Sequence, residues 1–403
     1  MEVKAGYQQT QMGLIPADWV DKRLGAVATI AAGGTPSRRV PEYWDGEIPW
    51  VTTKEIGFNT IRFAEESISA AGLKNSAAKL LAPGTLLLAL YGQGKTRGKV
   101  ASLGLRAATN QACASIAVAP SMSSTFVFHF LASRYESIRG MSNAGSQENL
   151  SGQIVKSIWL PIPPTKAEQE AIAEALSDAD ALIESLEQLL VKKRQIKQGT
   201  MQELLTGKRR LPGFDGEWSV KRIGEICDIS MGRTPSRLNS AYWGKGYKWL
   251  SIADLKSKIV SDAKEEITAL AAEDMQIIQA GTLLMSFKLS IGRLCFAGCD
   301  LYTNEAICSF NNLKAVADYL YYVLGRTDFS LYGKQAVKGH TLNKESLSAI
   351  EVPFPSMQEQ SAIAAILSDM DADIAALESR LAKARHIKQG MMQQLLTGKI
   401  RLV

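Results

Sequence analysis

The sequence is written twice. Trp19-Val-Asp-Lys-Arg-Leu-Gly25 returns as Trp218-Ser-Val-Lys-Arg-Ile-Gly224, and Thr35-Pro-Ser-Arg38 as Thr234-Pro-Ser-Arg237. Tyr43-Trp44 and Trp50 return as Tyr242-Trp243 and Trp249, and Gly84-Thr-Leu-Leu87 as Gly281-Thr-Leu-Leu284. Thr109-Asn-Gln-Ala112 returns as Thr303-Asn-Glu-Ala306, Arg194-Gln-Ile-Lys-Gln-Gly199 as Arg385-His-Ile-Lys-Gln-Gly390, and Leu204-Leu-Thr-Gly-Lys208 as Leu395-Leu-Thr-Gly-Lys399. The distance between equivalent residues falls from 199 at Trp19/Trp218 to 191 at Leu204/Leu395, so the second copy has lost loop residues. A duplication of this kind constrains the fold more than any single motif, because each copy must make the same core.

Each copy has two parts. The first, about 150 residues, mixes Gly, Pro, Thr and aromatic residues with short apolar runs such as Thr85–Leu90 and Ile158–Ile162, and reads as a strand-rich mixed domain. The second is helical. Thr165 and Ser356 stand as N-caps, each followed by a Glu or Gln in the first turn, and each helix runs out at a Thr-Gly pair, Thr206-Gly207 and Thr397-Gly398, where Gly can take the left-handed cap. Ile172, Leu176, Ala179, Ile183, Leu186 and Leu190 repeat at coiled-coil spacing, and so do Ile363, Leu367, Met370, Ile374, Leu377 and Leu381. A helix of roughly 38 residues spans about 57 Å, longer than a domain of that size is wide. Each is therefore expected to need the other. The fold expected is α+β: two similar mixed domains joined by two long helices in an antiparallel coiled coil, with pseudo-two-fold symmetry. The boundaries expected are 1–163, 164–208, 209–355 and 356–403.

The net charge of +6 and pI near 8.9 admit an anionic partner without requiring one. Five cysteines (Cys113, Cys227, Cys295, Cys299, Cys308) lack a framework spacing and read as reduced thiols, a zinc site being the alternative. No run of about 18 apolar residues and no apolar leader is present, so no membrane partner and a cytoplasmic protein are expected.

In order, Gly33-Gly-Thr-Pro-Ser37, Tyr-Trp, Ile48-Pro-Trp50, Thr109-Asn-Gln111 and a long helix ending Gln-x-Leu-Leu-Thr-Gly-Lys resemble the specificity subunit of type I restriction-modification systems. The resemblance covers both halves. It implies that residues 1–163 and 209–355 are target recognition domains, each reading half of a bipartite double-stranded DNA site. It further implies that the helices set the gap and dock two methyltransferase subunits, with restriction-translocase subunits completing the complex. This chain would bind no cofactor, while its partners would use S-adenosylmethionine, ATP and Mg. The second copy departs from the pattern at Tyr247-Lys-Trp249 and at Asn304-Glu305.

No Asn/Asp-Pro-Pro-aromatic loop is present to hold a flipped adenine, so no catalysis is expected of the chain itself. Ala89-Leu-Tyr-Gly-Gln-Gly-Lys95-Thr96 nearly spells a phosphate-binding loop, so a nucleotide-binding enzyme using Lys95 is one competing reading. A coiled-coil scaffold without DNA is the other. Residues on loops with donors, acceptors or positive charge are the candidate DNA contacts. In the first copy they are Thr35, Ser37, Arg38, Thr53, Lys54, Tyr91, Gln93, Lys95, Arg97 and Gln147. In the second they are Thr234, Ser236, Arg237, Lys248, Asp254, Lys256, Lys288, Arg293, Lys338 and His340. The tryptophans Trp44, Trp50, Trp243 and Trp249 read as core. Asp178, Asp180, Asp369 and Asp371 read as acids favoured near a helix start, with metal binding the alternative. The bases Lys192, Lys193, Arg194, Lys197, Lys383, Arg385 and Lys388 read as a solvated face, or as a surface for phosphates or partner subunits.

Overall fold

The computed structural model describes residues 5–92, 94–141, 149–332, 334–336 and 339–402, without side chains at 334–336 and 339–341. The chain divides into two compact units: Met1–Glu187 with Ser379–Val403, and Gln188–Glu378.

The first unit is built on a five-stranded sheet in the order Ala28–Ala32, Cys113–Val118, Leu86–Ala89, Val100–Leu103, Thr60–Ile61, with the last pair parallel and the rest antiparallel. The central strand, Leu-Leu-Leu-Ala, is buried at all four positions because both faces are covered. Alternation sends Leu86 and Leu88 into a core with Trp19, Phe126 and Phe130, and Leu87 and Ala89 into a second core with Val51, Ile56 and Ile61. A smaller sheet sets Trp44–Val51 between Ala108–Thr109 (parallel) and Glu66–Ile68 (antiparallel). Strand Trp159–Ile162 pairs with Val20–Arg23 just before the first long helix begins.

The second unit repeats this plan. Its five strands run Asp228–Met231, Ile307–Asn311, Leu283–Ser286, Leu294–Ala297, Ile259–Val260, and Trp243–Leu250 lies between Glu265–Ile267 and Tyr302–Thr303. Leu283 and Met285 face one core, Leu284 the other. The register breaks at the same place in both copies, between Trp44 and Ile48 and between Trp243 and Tyr247.

The two long helices, Lys166–Leu204 and Met357–Leu395, have 39 residues each. Thr165 and Ser356 cap them, each accepting from the backbone N–H three residues on at 3.2 Å. The carboxylates expected to complete a capping box do something else. Glu168 is buried and pairs with Arg401, itself paired with Asp18. Glu359, equally buried, accepts both donors of a bidentate Arg210 (2.7 and 2.8 Å) and the Trp218 indole N–H (3.0 Å). Buried carboxylates need such partners, and the partner in each case follows the Leu-Leu-Thr-Gly-Lys end of the other long helix.

The unit boundary falls inside both helices, not at their junctions with the heads. Ile172 and Leu176 belong to the core of the first unit, with Trp19, Phe126, Leu395 and Leu396. Ile363 and Leu367 belong to that of the second, with Leu204 and Leu205. At these four positions a helix packs on head residues and on the end of the other long helix alike. Of the other expected seam residues, Leu186, Leu190 and Leu381 are buried, while Ile183, Ile374 and Leu377 are half-buried.

Within each unit, helix segments meet in opposite sequence order. In the first, Lys388 pairs with Asp180 and Arg385 with Glu187. In the second, Lys193 pairs with Asp373 (2.9 Å), Arg194 with Glu378 (2.5 Å) and Lys197 with Asp371. The acids Asp180 and Asp371 lie several turns into their helices, beyond the reach of the helix dipole, and serve the facing helix instead. The basic run likewise pairs across helices at five of its seven positions.

Candidate nucleic-acid interface

The Gly33-Gly-Thr-Pro-Ser-Arg38 loop lies against the backbone that follows Ala108–Thr109. A β-carbon on Gly33 would stand 2.2 Å from the Thr109 and Asn110 carbonyl oxygens, so only glycine fits. In the second unit Gly232 is pinned the same way against Thr303 and Asn304. This fixes where the next residues emerge. Thr35 donates its hydroxyl to Gln111, and Thr234 donates to Glu305.

Arg38 follows. Its guanidinium lies 3.6 Å over the Trp44 ring and pairs with Glu66 at 2.6 Å. Arg237 lies 3.7 Å over Trp243 and meets Glu265 through two nitrogens, the second contact at 2.8 Å. The tryptophans are themselves fixed. Trp44 donates to Ser37 O and Trp50 to Gly34 O, while Trp243 donates to Ser236 O and Trp249 to Arg233 O, at 3.0–3.1 Å. Each pair packs edge to face with centroids 5.0 Å apart. Trp50 and Trp249 are core, as expected. Trp44 and Trp243 are only half-buried and serve as platforms for arginine, a role the sequence reading missed. It also missed Glu66 and Glu265. The repeat itself carried the signal for the two glutamates, since they are 199 residues apart like the tryptophans above them.

In the first unit Arg38, Thr53 and Lys54 line one cleft of about 270 Å³ with Trp50, Asn110 and Glu66. Ser37 is exposed, Tyr91 and Lys95 are exposed on a separate loop, and the Lys95 carbonyl accepts from the Tyr135 hydroxyl at 2.6 Å. Arg97, expected as a surface contact, is buried at 6% exposure and belongs to the interior of the unit. Gln93 and Gln147 lie outside the described residues, as does Lys338 in the second unit, and His340 is described only as backbone within strand Gly339–Thr341.

In the second unit the loops converge through charge. Donation by the Thr234 hydroxyl, with Lys288 and Arg237 nearby, holds the Glu305 carboxyl below its ordinary range. Arg293 reaches the Ile252 carbonyl at 3.5 Å, tying its loop to the segment that carries Asp254 and exposed Lys256. Ser236 is exposed. Two candidates are engaged internally. Asp254 accepts from the Ser251 N–H (2.9 Å) and hydroxyl (2.7 Å), capping a short turn. Lys248 bridges Asp262 and Glu266, both at 2.8 Å, and these hydrogen bonds raise its pKa.

The nucleotide-binding reading fails on topology. A phosphate loop of that type delivers its lysine to the N-terminus of a helix. Here strand Leu86–Ala89 is answered by Val100–Leu103, antiparallel and hydrogen-bonded to it, and residues 94–98 are turns leading into that strand. A larger cleft of about 610 Å³ in the first unit is lined by His129, Arg62, Asp180 and Glu184 among others, and by none of the candidate DNA contacts. Among the described residues no cluster of three or more His, Cys, Asp and Glu is arranged to hold a metal, and no helix is long and apolar enough to cross a membrane.

The sequence profile of the type I restriction modification DNA specificity domain matches residues 16–194 and again 215–384. The chain belongs to this family. Both matches cover a head and most of the long helix after it, so the DNA specificity domain is present twice. Similar curated proteins include two type I restriction enzyme specificity subunits of Methanocaldococcus jannaschii. The MjaVIII subunit is 22% identical over 417 residues, covering 96% of this chain and 94% of that one. The MjaIX subunit is 25% identical over 292 residues, covering 67% and 66%. Among solved structures, the S subunit of a type I system from M. genitalium superposes with a TM-score of 0.62 at 15% identity, with 98% of each chain covered. A chain from a study of type I system assembly gives 0.58 at 19%, with 96% and 99% covered. At such identities the superpositions establish the fold alone.

Proposed function

We propose that this chain is the DNA-reading subunit of a type I restriction-modification complex, and that each specificity domain reads one half of a bipartite duplex target. The observation that supports this best is the repeated loop set: Thr35/Thr234 and Arg38/Arg237 emerge from glycine-pinned loops, at equivalent places, in both copies of a DNA specificity domain. Exposed lysines around them supply phosphate contacts, which position a duplex without reading it. In this reading the long helices pair as a continuous antiparallel coiled coil and set the gap between half-sites. They also dock two methyltransferase subunits, which use S-adenosylmethionine to modify adenine N6, and restriction-translocase subunits use ATP and Mg to cut unmodified DNA. The chain itself carries no catalytic residue and no cofactor.

Methylome sequencing of a host carrying the intact system tests the reading. A bipartite motif methylated on adenine is expected, and replacing residues 1–163 with the equivalent domain of another such subunit is expected to change one half of it only. Inserting four residues after Leu186 and four after Leu377 is expected to widen the gap by one or two base pairs, since about 6 Å of helix corresponds to that many steps. An unchanged gap overturns the spacer role. Indifference to DNA even with methyltransferase bound leaves the coiled-coil scaffold.

A further inference from the structure

One loop of the second unit carries a residue that its own fold does not account for. Strands Leu283–Ser286 and Leu294–Ala297 are joined by a tight turn held from inside. Buried Ser286 donates its hydroxyl to Ser290 O and accepts from the Arg293 N–H at 3.1 Å, and the Gly292 N–H donates to Ser286 O at 2.9 Å. At the tip of this turn Leu289 has φ +62° and is 79% exposed. A branched side chain in left-handed backbone is strained, and here burial gives little in return. Phe58, the other large apolar residue with such a φ (+62°) among the described residues, packs its ring on Tyr135 at 5.3 Å. In the matching loop of the first unit the described left-handed positions are Gly92, Gly94 and Gly98. Glycine or asparagine would take this backbone conformation with less strain.

The surroundings indicate the kind of surface that covers this leucine. Lys288 precedes it and lies 5.3 Å from the Phe287 ring centroid, exposed Arg293 follows, and the Glu305 carboxyl senses both Lys288 and Arg237. Leu238, 99% exposed, stands next to Arg237. Apolar tips between cations match a duplex groove, whose phosphates take the cations and whose base edges, thymine methyls above all, take the apolar atoms. Resting on the proposed function, we infer that Leu289 is a specificity contact: its side chain enters the groove of the half-site read by the second unit and packs against base edges.

The test uses the full chain in complex with its methyltransferase subunits and two 40-base-pair duplexes, one holding the mapped target and one of random sequence. Leu289→Asn is expected to leave thermal stability unchanged or raised, because asparagine tolerates the left-handed region. It is expected to weaken target binding about tenfold and to leave random-duplex binding alone. The slope of log affinity against log salt stays that of the wild type, since no phosphate contact is lost, whereas Lys288→Ala lowers it by about one. Target affinity within twofold of wild type in Leu289→Asn overturns the inference. So does loss of methyltransferase association with target discrimination intact. A wild-type complex that prefers neither duplex overturns the proposed function and takes this inference with it, whereas discrimination by wild type and variant alike removes the inference only.

Discussion

Leu367→Ala tests whether the first turns of the second long helix are packed more tightly than its middle. Leu367 is fully buried in the second unit among Ile226, Tyr319, Tyr322 and Ile363. Truncation removes most of its apolar contact and leaves a cavity that a sheet and two helix segments cannot fill, at a cost of about 2–5 kcal/mol. In a folding unit spanning residues 188–378, each kcal/mol lowers the melting temperature by about 2–4 °C, so a central loss of about 3 kcal/mol gives about 6–12 °C. The control is Leu377→Ala, ten residues further along the same expected stripe but only half-buried, for which less than about 1.5 kcal/mol is expected. Differential scanning calorimetry of the whole chain is the assay, because two units need not melt together. Equal shifts for the two variants, or a larger one for Leu377→Ala, would refute the division of the stripe into a tightly packed end and a looser middle.

Other consequences are as direct. Burial lowers the His129 pKa to about 4, against the opposing pull of Asp180. The folded first unit therefore resists protonation that the unfolded chain accepts. Its contribution is intact above pH 6.5 and is lost as pH falls toward 4, on the order of 3 kcal/mol in full; His129→Gln is expected to flatten the stability profile in that window, and an unchanged profile would count against it. Burial pushes the thiols of Cys113, Cys227 and Cys295 up to about 12 and raises that of Cys308, whereas Cys299 is half-exposed. A thiol reagent on the native chain at pH 8 is expected to modify Cys299 first, read by mass spectrometry of the digest. Gly33→Ala forces a β-carbon into two carbonyl oxygens and is expected to displace Thr35 and Arg38. Loss of discrimination at one half-site in a methylation assay, with the other half-site still read, is the result to look for.

The duplication, the alternation of domain and helix, the caps at Thr165 and Ser356 and the ends at Gly207 and Gly398 were all legible in the chain, because each is written in local pattern and spacing. So was the family, through the order of its short motifs. What only the tertiary structure decided is which partner each legible residue takes. Ile172 and Ile183 look alike in a heptad, yet one lies in a domain core and the other is half-buried. Arg38 and Arg97 look alike on polar loops, yet one lies open on a tryptophan face and the other is buried. Glu168 and Asp180 look alike as helix acids, yet Arg401 and Lys388 claim them from more than 200 positions away. Periodicity fixes the face on which a side chain stands. The occupant of the space opposite comes from distant chain, and no local spacing encodes it.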